Sequence, residues 1–196
     1  LQAIGFNEDH RIGTSLPDKI TQLTEFQLKD NDGNRLFPIS VVVGSIYTLF
    51  IVSKTSQTNF NDRQLAIFTT GKPTSNPILI SLESHTPVSL FGGLHDAAVI
   101  DKDDGIILLT EDNIRNNPTN YLRIVLPDND KAVSVALCNN FYYAVGKSGR
   151  LYMTQEKGTT FNVVSEVRNY FFNEVSGIWT HAVAVTNDGK VFSHGA

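Results

Sequence analysis

The sequence predicts an all-β protein built from about four copies of one multi-stranded unit. Three observations predict this. Helical periodicity is nearly absent, and short runs rich in Val, Ile, Leu, Phe and Tyr recur between clusters of Gly, Asn, Asp, Pro and Ser. Asp104-Gly105, Ser148-Gly149 and Asp188-Gly189 each place a glycine where a tight hairpin needs a positive φ. One skeleton also recurs along the chain, marked by an aromatic or His position at Tyr47, His95, Phe141 and His181, with spacings of 48, 46 and 40 residues.

Taken in order, the expected strands are Ile39–Val43, Tyr47–Val52, Leu65–Thr69, Ala97–Ile100, Ile106–Leu109, Leu122–Leu126, Ala132–Leu137, Phe141–Val145, Arg150–Met153, Ala182–Thr186 and Lys190–Ser193. The first copy runs Val41-Val-Val-Gly-Ser-Ile-Tyr47-Thr-Leu-Phe-Ile-Val and resumes after a polar insertion as Leu65 to Gly71. The second spans Ser89 to Leu108 through His95, and the third spans Val135 to Tyr152 through Phe141. The fourth reads Val175-Ser-Gly-Ile-Trp-Thr-His181-Ala-Val-Ala-Val-Thr-Asn-Asp-Gly189-Lys-Val-Phe-Ser-His-Gly195. From marker to hairpin Gly is 8 residues in the last two copies and 10 in the second. Units of about 40–50 residues with several strands each are the signature of β-propeller blades. Each blade hides one face against the next, so a lone blade is not stable.

The segment Val175 to Gly195 resembles the regulator-of-chromosome-condensation repeat, Val-Ser-Cys-Gly-x-x-His-Thr-Leu-Ala-Leu-Thr-x-Asp-Gly-x-Val-Tyr-Ser-Trp-Gly. Gly5-Phe-Asn-Glu-Asp-His-Arg-Ile-Gly13 is similar to the Gly-x-Asn-x-x-Gly-x-Leu-Gly tail that follows that pattern. The match is best in the last copy and weakest in the first, where a longer loop replaces the hairpin. The repeats also run shorter than is usual in the family. The resemblance implies a propeller of about seven blades, of which residues 1–196 form a part, with no second domain. The single Cys138, which has no internal disulfide partner, and the lack of an Asn-x-Ser/Thr acceptor favour a reducing, intracellular setting, in cytoplasm or nucleus.

Composition narrows the function. The 196 residues are 41 % apolar and 18 % charged, which excludes a disordered chain. No apolar run reaches the roughly 18–20 residues of a membrane helix, since Val41–Val52 is broken by Gly44, Ser45 and Thr48. The chain opens on Leu1 without a signal-peptide pattern and closes directly after a strand pattern, so a piece of a longer protein is expected, with further blades or another chain closing the ring. Net charge is −4, and residues 76–130 hold 9 acidic and 3 basic side chains. A phosphate-gripping surface needs the opposite balance, so nucleic acid is not the expected ligand. The acidic stretch from Glu83 to Asp130 offers steering of a basic partner, or plain solvation of blade edges.

The residues that tempt towards chemistry have plainer readings. His95 and His181 share their position with Tyr47 and Phe141, which cannot act as a His-type base, so the position is read as packing. Asp101-Lys-Asp-Asp-Gly105 opens like a calcium loop, but its flanks are strands and a hairpin explains it. No nucleophile elbow, phosphate loop or His-Glu-x-x-His occurs. The reading is therefore non-enzymatic, with no cofactor or metal. Ser53–Gln64 is more informative, because twelve residues with Phe60 as the only apolar side chain stand where a tight hairpin is expected. Lys54, Phe60, Asp62 and Arg63 are the candidate partner-binding residues. The expected function is a protein-interaction scaffold. The alternatives that the resemblance implies are a guanine-nucleotide exchange factor for a Ran-type small GTPase and the substrate-binding propeller of a ubiquitin ligase. The family's ultraviolet-B photoreceptor needs a tryptophan cluster, and this chain has only Trp179.

Overall fold

The computed structural model describes residues 1–7, 12–13, 16–57, 59–70 and 74–195. The tail pattern Gly5–Gly13 and the end of the first copy at Gly71 therefore lie partly outside the described residues.

The described chain is an all-β arc of antiparallel sheets. A two-stranded sheet of β1 (Gln2–Phe6) and β2 (Lys19–Glu25) comes first. The first full blade contains β3 (Leu28–Lys29), β4 (Arg35–Val43), β5 (Tyr47–Ser53), β6 (Arg63–Thr69) and β7 (Ile78–Ile80), hydrogen-bonded in that order. The second contains β8 (Pro87–Gly92), β9 (Ala97–Asp101), β10 (Ile106–Leu109) and β11 (Leu122–Ile124). The third contains β12 (Ala132–Leu137), β13 (Tyr142–Gly146), β14 (Leu151–Thr154) and β15 (Phe161–Val163). The last holds β16 (Phe172–Ile178), β17 (His181–Thr186) and β18 (Val191–Gly195).

Each of these four sheets carries the same irregularity, a register shift within the first two pairs of its inner hairpin, at Pro38/Ser40, Pro87/Ser89, Ala132/Ser134 and Phe172/Glu174. Such bulges increase local twist, which a blade needs as it turns away from the axis. Strand alternation then sends successive side chains to opposite neighbours. In β5, Tyr47, Leu49 and Ile51 pack forward on Ala97, Val99, Ile107 and Leu109 of the second blade. Ala98 and Ile100 face the third blade, where they meet Tyr142, Ala144 and Tyr152. Tyr143 and Val145 meet Ala182 and Ala184 of the last blade. The core is thus a series of seams between blades, and not one central cluster.

Among the described residues seven strands lie beyond the runs read from the sequence: β1–β3, β7, β8, β15 and β16. The outer β7 and β15 have only three residues each, too few to show a period. The inner β8 and β16 carry Ser and Gly, which weaken a strand signal but let neighbouring inner strands approach closely. A short helix, α1 (Glu111–Asn116), also goes beyond the sequence reading. Thr110 and Asn113 form a capping box at its start, and Ile114 is buried against the first seam. Among the described residues no helix is long and apolar enough to cross a membrane.

Candidate protein-interaction surfaces

The marker residues take their meaning from the seams. Tyr47 opens β5, Phe141 directly precedes β13, and His181 opens β17. At all three the turn from the first to the second strand closes on the marker: Gly44 N–H donates to Tyr47 C=O, Cys138 N–H donates to Phe141 C=O, and Ile178 pairs with His181. In the second blade Gly93 N–H donates to Asp96 C=O, so Asp96 holds the equivalent place and His95 stands one residue before it. The marker side chain points forward into the next seam. The Tyr47 hydroxyl donates to Asp96 C=O at 2.8 Å and Gly93 C=O at 3.2 Å. Phe141 stacks edge-on with His194, and His181 is exposed on the forward side of the last blade.

Asp96 is the residue that sequence reasoning missed. Only 4 % exposed, its carboxylate accepts from Tyr142 Oη at 2.9 Å and Lys157 Nζ at 2.8 Å, both from the third blade. Its other oxygen accepts the Glu111 N–H at the start of α1 at 2.7 Å. Burial and the Asp96 charge together push the Tyr142 hydroxyl far above the usual tyrosine range. His95 bonds outward instead, its Nδ1 3.0 Å from Ser45 Oγ and 3.9 Å from Glu111. Both oxygens of the Asp96 carboxylate have partners, so the cluster bolts the second and third blades together.

The hairpin turns sit at the opposite end of the blades and repeat one geometry. Gly149 and Gly189 take φ +82°. In the second blade the left-handed residue is Asp104, φ 62°, and Gly105 aligns with Arg150 and Lys190. The reading of Gly105 as the positive-φ glycine is corrected by one residue. Asp104 tolerates the conformation because short polar side chains bond locally there. Asp101 anchors this turn: its carboxylate accepts the Asp103 and Gly105 N–H groups, each at 2.9 Å, and Arg123 Nε at 2.7 Å. Burial pushes this carboxyl up, but Arg123 and the two N–H donors outweigh it and hold it below the usual carboxylate range.

The same end carries the insertion. Phe60–Asp62 form one turn of 3-10 helix, with Asn59 Oδ1 accepting the Asn61 N–H at 3.2 Å. The Arg63 guanidinium lies over the Phe60 ring, 4.6 Å from its centroid, while Phe60 remains 39 % exposed. Arg63 Nε is buried and has no hydrogen-bond partner among the described residues. Lys54 and Asp62 are exposed, and the Lys54 charge is felt by Asp30 in the neighbouring turn. The structure therefore brings Phe60, Asp62 and Arg63 together, with Lys54 at the loop's start.

The acidic middle of the chain is largely neutralised. Of the nine acidic side chains in residues 76–130, six are paired: Asp96 with Lys157, Asp101 with Arg123, Asp103 with Lys102, Asp104 with Lys131, Glu111 with Arg115 and Asp128 with Arg150. At the other end of the blades, Asn139, Asn140, Phe141, Glu156 and Lys157 border an open groove of about 480 Å³.

The sequence matches no protein-family model and no curated protein. Among solved structures it is similar to human WBSCR16, with a TM-score of 0.71 at 12 % identity, covering 99 % of this chain and 56 % of that one. Prp20p from Saccharomyces cerevisiae, also named yeast RCC1, gives a TM-score of 0.68 at 14 % identity over 97 % of this chain and 50 % of that one. The β-propeller domain of Cps50 (Swd1) from Myceliophteria thermophila gives 0.59 at 11 % identity, over 91 % and 62 %. The chain spans about half the length of the first two. Its fold is therefore that of β-propeller blades, similar to those of the regulator-of-chromosome-condensation protein of yeast.

Proposed function

We propose that this chain is a non-enzymatic protein-interaction scaffold of the cytoplasm or nucleus, and that Phe60 and Arg63 anchor its partner. The observation that supports the reading is the state of the insertion. Its one apolar side chain is held outward on a 3-10 turn beneath a guanidinium, on a loop that replaces the tight hairpin of the other blades. An exposed aromatic ring that is already ordered loses little freedom on binding, and aromatic and Arg residues dominate interface energetics. Lys54 and Asp62 flank the pair as rim charges of opposite sign.

The test is quantitative affinity purification with the wild-type chain, Phe60→Ala and Arg63→Ala, each checked for an unchanged melting curve. The expected result is a protein retained by the wild type and reduced about tenfold or more by both variants. Partners held equally by all three chains would overturn the assignment of the anchor.

A second reading is exchange activity on a Ran-type GTPase. Its support is the likeness to Prp20p, a structure described together with that protein's binding properties to Gsp1p and histones. Release of labelled GDP from purified Ran, accelerated by micromolar chain and abolished by Phe60→Ala, favours it. No acceleration leaves the scaffold. The ubiquitin-ligase reading is checked by flanking sequence, where an adjoining BTB or HECT segment decides for it.

A further inference from the structure

We infer that the notch between the third and last blades, on the face that carries the insertion, docks an extended acidic segment of a protein partner, one apolar side chain of which sits on Val133 and Phe171. The inference shares with the scaffold reading only the premise that the partner is a protein, and Phe60 and Arg63 take no part in it.

The two blades that form the notch pack directly on one another. The connection between them ends at Phe171, whose C=O accepts the Asn187 N–H of the last hairpin at 2.8 Å. At the same place one and two blades earlier, Lys131 C=O accepts the Lys147 N–H and Thr86 C=O accepts the Lys102 N–H. The fold asks only for a carbonyl there, and the side chain is free to change from Thr to Lys to Phe. Phe171 lays its ring against Gly149, where an added Cβ would stand 3.0 Å away, yet it remains 64 % exposed. The bulges bring two more residues to it. Val133 and Asn173 are the residues left without a ladder partner by the register shifts at Ala132/Ser134 and Phe172/Glu174. A bulge re-aims a side chain, and here both residues line one space of about 230 Å³ with Phe171 and Asn187. Val133 is 43 % exposed.

This space suits a peptide. It is smaller than the roughly 300–1,000 Å³ that encloses a drug-sized molecule. Its apolar floor of Val133 and Phe171 takes a single side chain. The Asn173 and Asn187 amides make no hydrogen bond to the described residues, and each offers donors and an acceptor to an extended main chain. Charge then selects among peptides. Lys147 is the one charged residue lining the notch, and it has no ion-pair partner among the described residues. The carboxylates of the adjoining groove are already engaged, Asp128 with Arg150, and Asp130 with Ser148 and Tyr152. A partner carboxylate beside the seated apolar residue therefore finds Lys147 open to it.

Fluorescence anisotropy with the 196-residue chain tests this. The probe is a fluorescein-labelled peptide of glutamates around one central leucine. Its controls carry lysines for the glutamates, or serine for the leucine. The first peptide is expected to bind about tenfold tighter than either control, and more weakly as salt rises. Phe171→Ser and Lys147→Glu alter exposed side chains, so each is expected to keep the wild-type melting curve while lowering affinity about fivefold or more. Phe60→Ala is expected to leave the affinity unchanged. Binding that Phe60→Ala abolishes and Phe171→Ser spares overturns the inference and moves the acidic segment to the insertion, where the scaffold reading still stands. No binding of the acidic peptide at submillimolar chain, or equal binding of the lysine peptide, overturns it outright. Self-association of the chain that Phe171→Ser abolishes does so too, since the occupant is then a second copy.

Discussion

Asp96 ties the second blade to the third, and single substitutions around it separate its contacts. Tyr142→Phe removes one buried hydrogen bond and is expected to lower stability by about 1 kcal/mol in urea unfolding. Asp96→Ala leaves the buried Tyr142 hydroxyl and the Glu111 N–H without their acceptor, and is expected to lower it by about 2–3 kcal/mol. Asp101 sets a pH dependence. Its carboxyl titrates below its unfolded value, so its contribution is complete above the usual carboxylate range and is lost as pH falls through the lower, folded value. Acid unfolding followed by fluorescence is expected to begin below about pH 4, and Asp101→Asn to flatten that acid limb. His95 carries the aromatic-or-His pattern of the repeat, whereas the fold asks only for a side chain that reaches the next seam. A carboxylate with a tyrosine and a lysine waiting for it meets that need. A constant distance was the available signal: eight residues separate Asp96 from Asp104, Phe141 from Gly149 and His181 from Gly189.

Within a blade the middle strands were the legible part. β9 and β13 are apolar on both sides because a seam lies on each, β5 is likewise buried on both sides, and that density of Val, Ile, Leu, Ala and Tyr is what the sequence displays. Outer strands have one short edge to pair and inner ones trade bulk for closeness, so neither stands out from its turns. Gly93 shows what that closeness requires. An alanine there meets Leu137 Cβ at 2.7 Å and Leu137 C=O at 2.8 Å, and the backbone oxygen cannot step aside. Gly93→Ala is expected to destabilise by about 1–3 kcal/mol, read from the shift in thermal midpoint. Gly189 has open space around it and a φ of +82°, so Gly189→Ala carries only the left-handed strain, about 1–2 kcal/mol. The insertion was legible as a loop, but the stacking of Arg63 on Phe60 was not, since it depends on a 3-10 turn that Asn59, Asn61 and Asp62 do not announce.

Across the whole molecule stability is a chain of neighbour terms, and its weakest link is where a blade has fewest neighbours. Hydrogen exchange is expected to be fast in Val191–Gly195 and slow in Tyr142–Gly146, which has a seam on either side. Equal protection in the two segments would contradict the seam picture. The period along the chain was enough to identify the architecture, because blades repeat even where their residues do not. What the period could not show was polarity, the fact that each unit has a leading and a trailing side. That polarity follows from the alternation of side chains in the middle strands: a residue in β13 answers to the blade before it or the blade behind it, never both. Substitutions of one parity therefore tune a single joint and leave its neighbour unchanged, so the curvature of the arc is open to stepwise adjustment, one hinge line at a time.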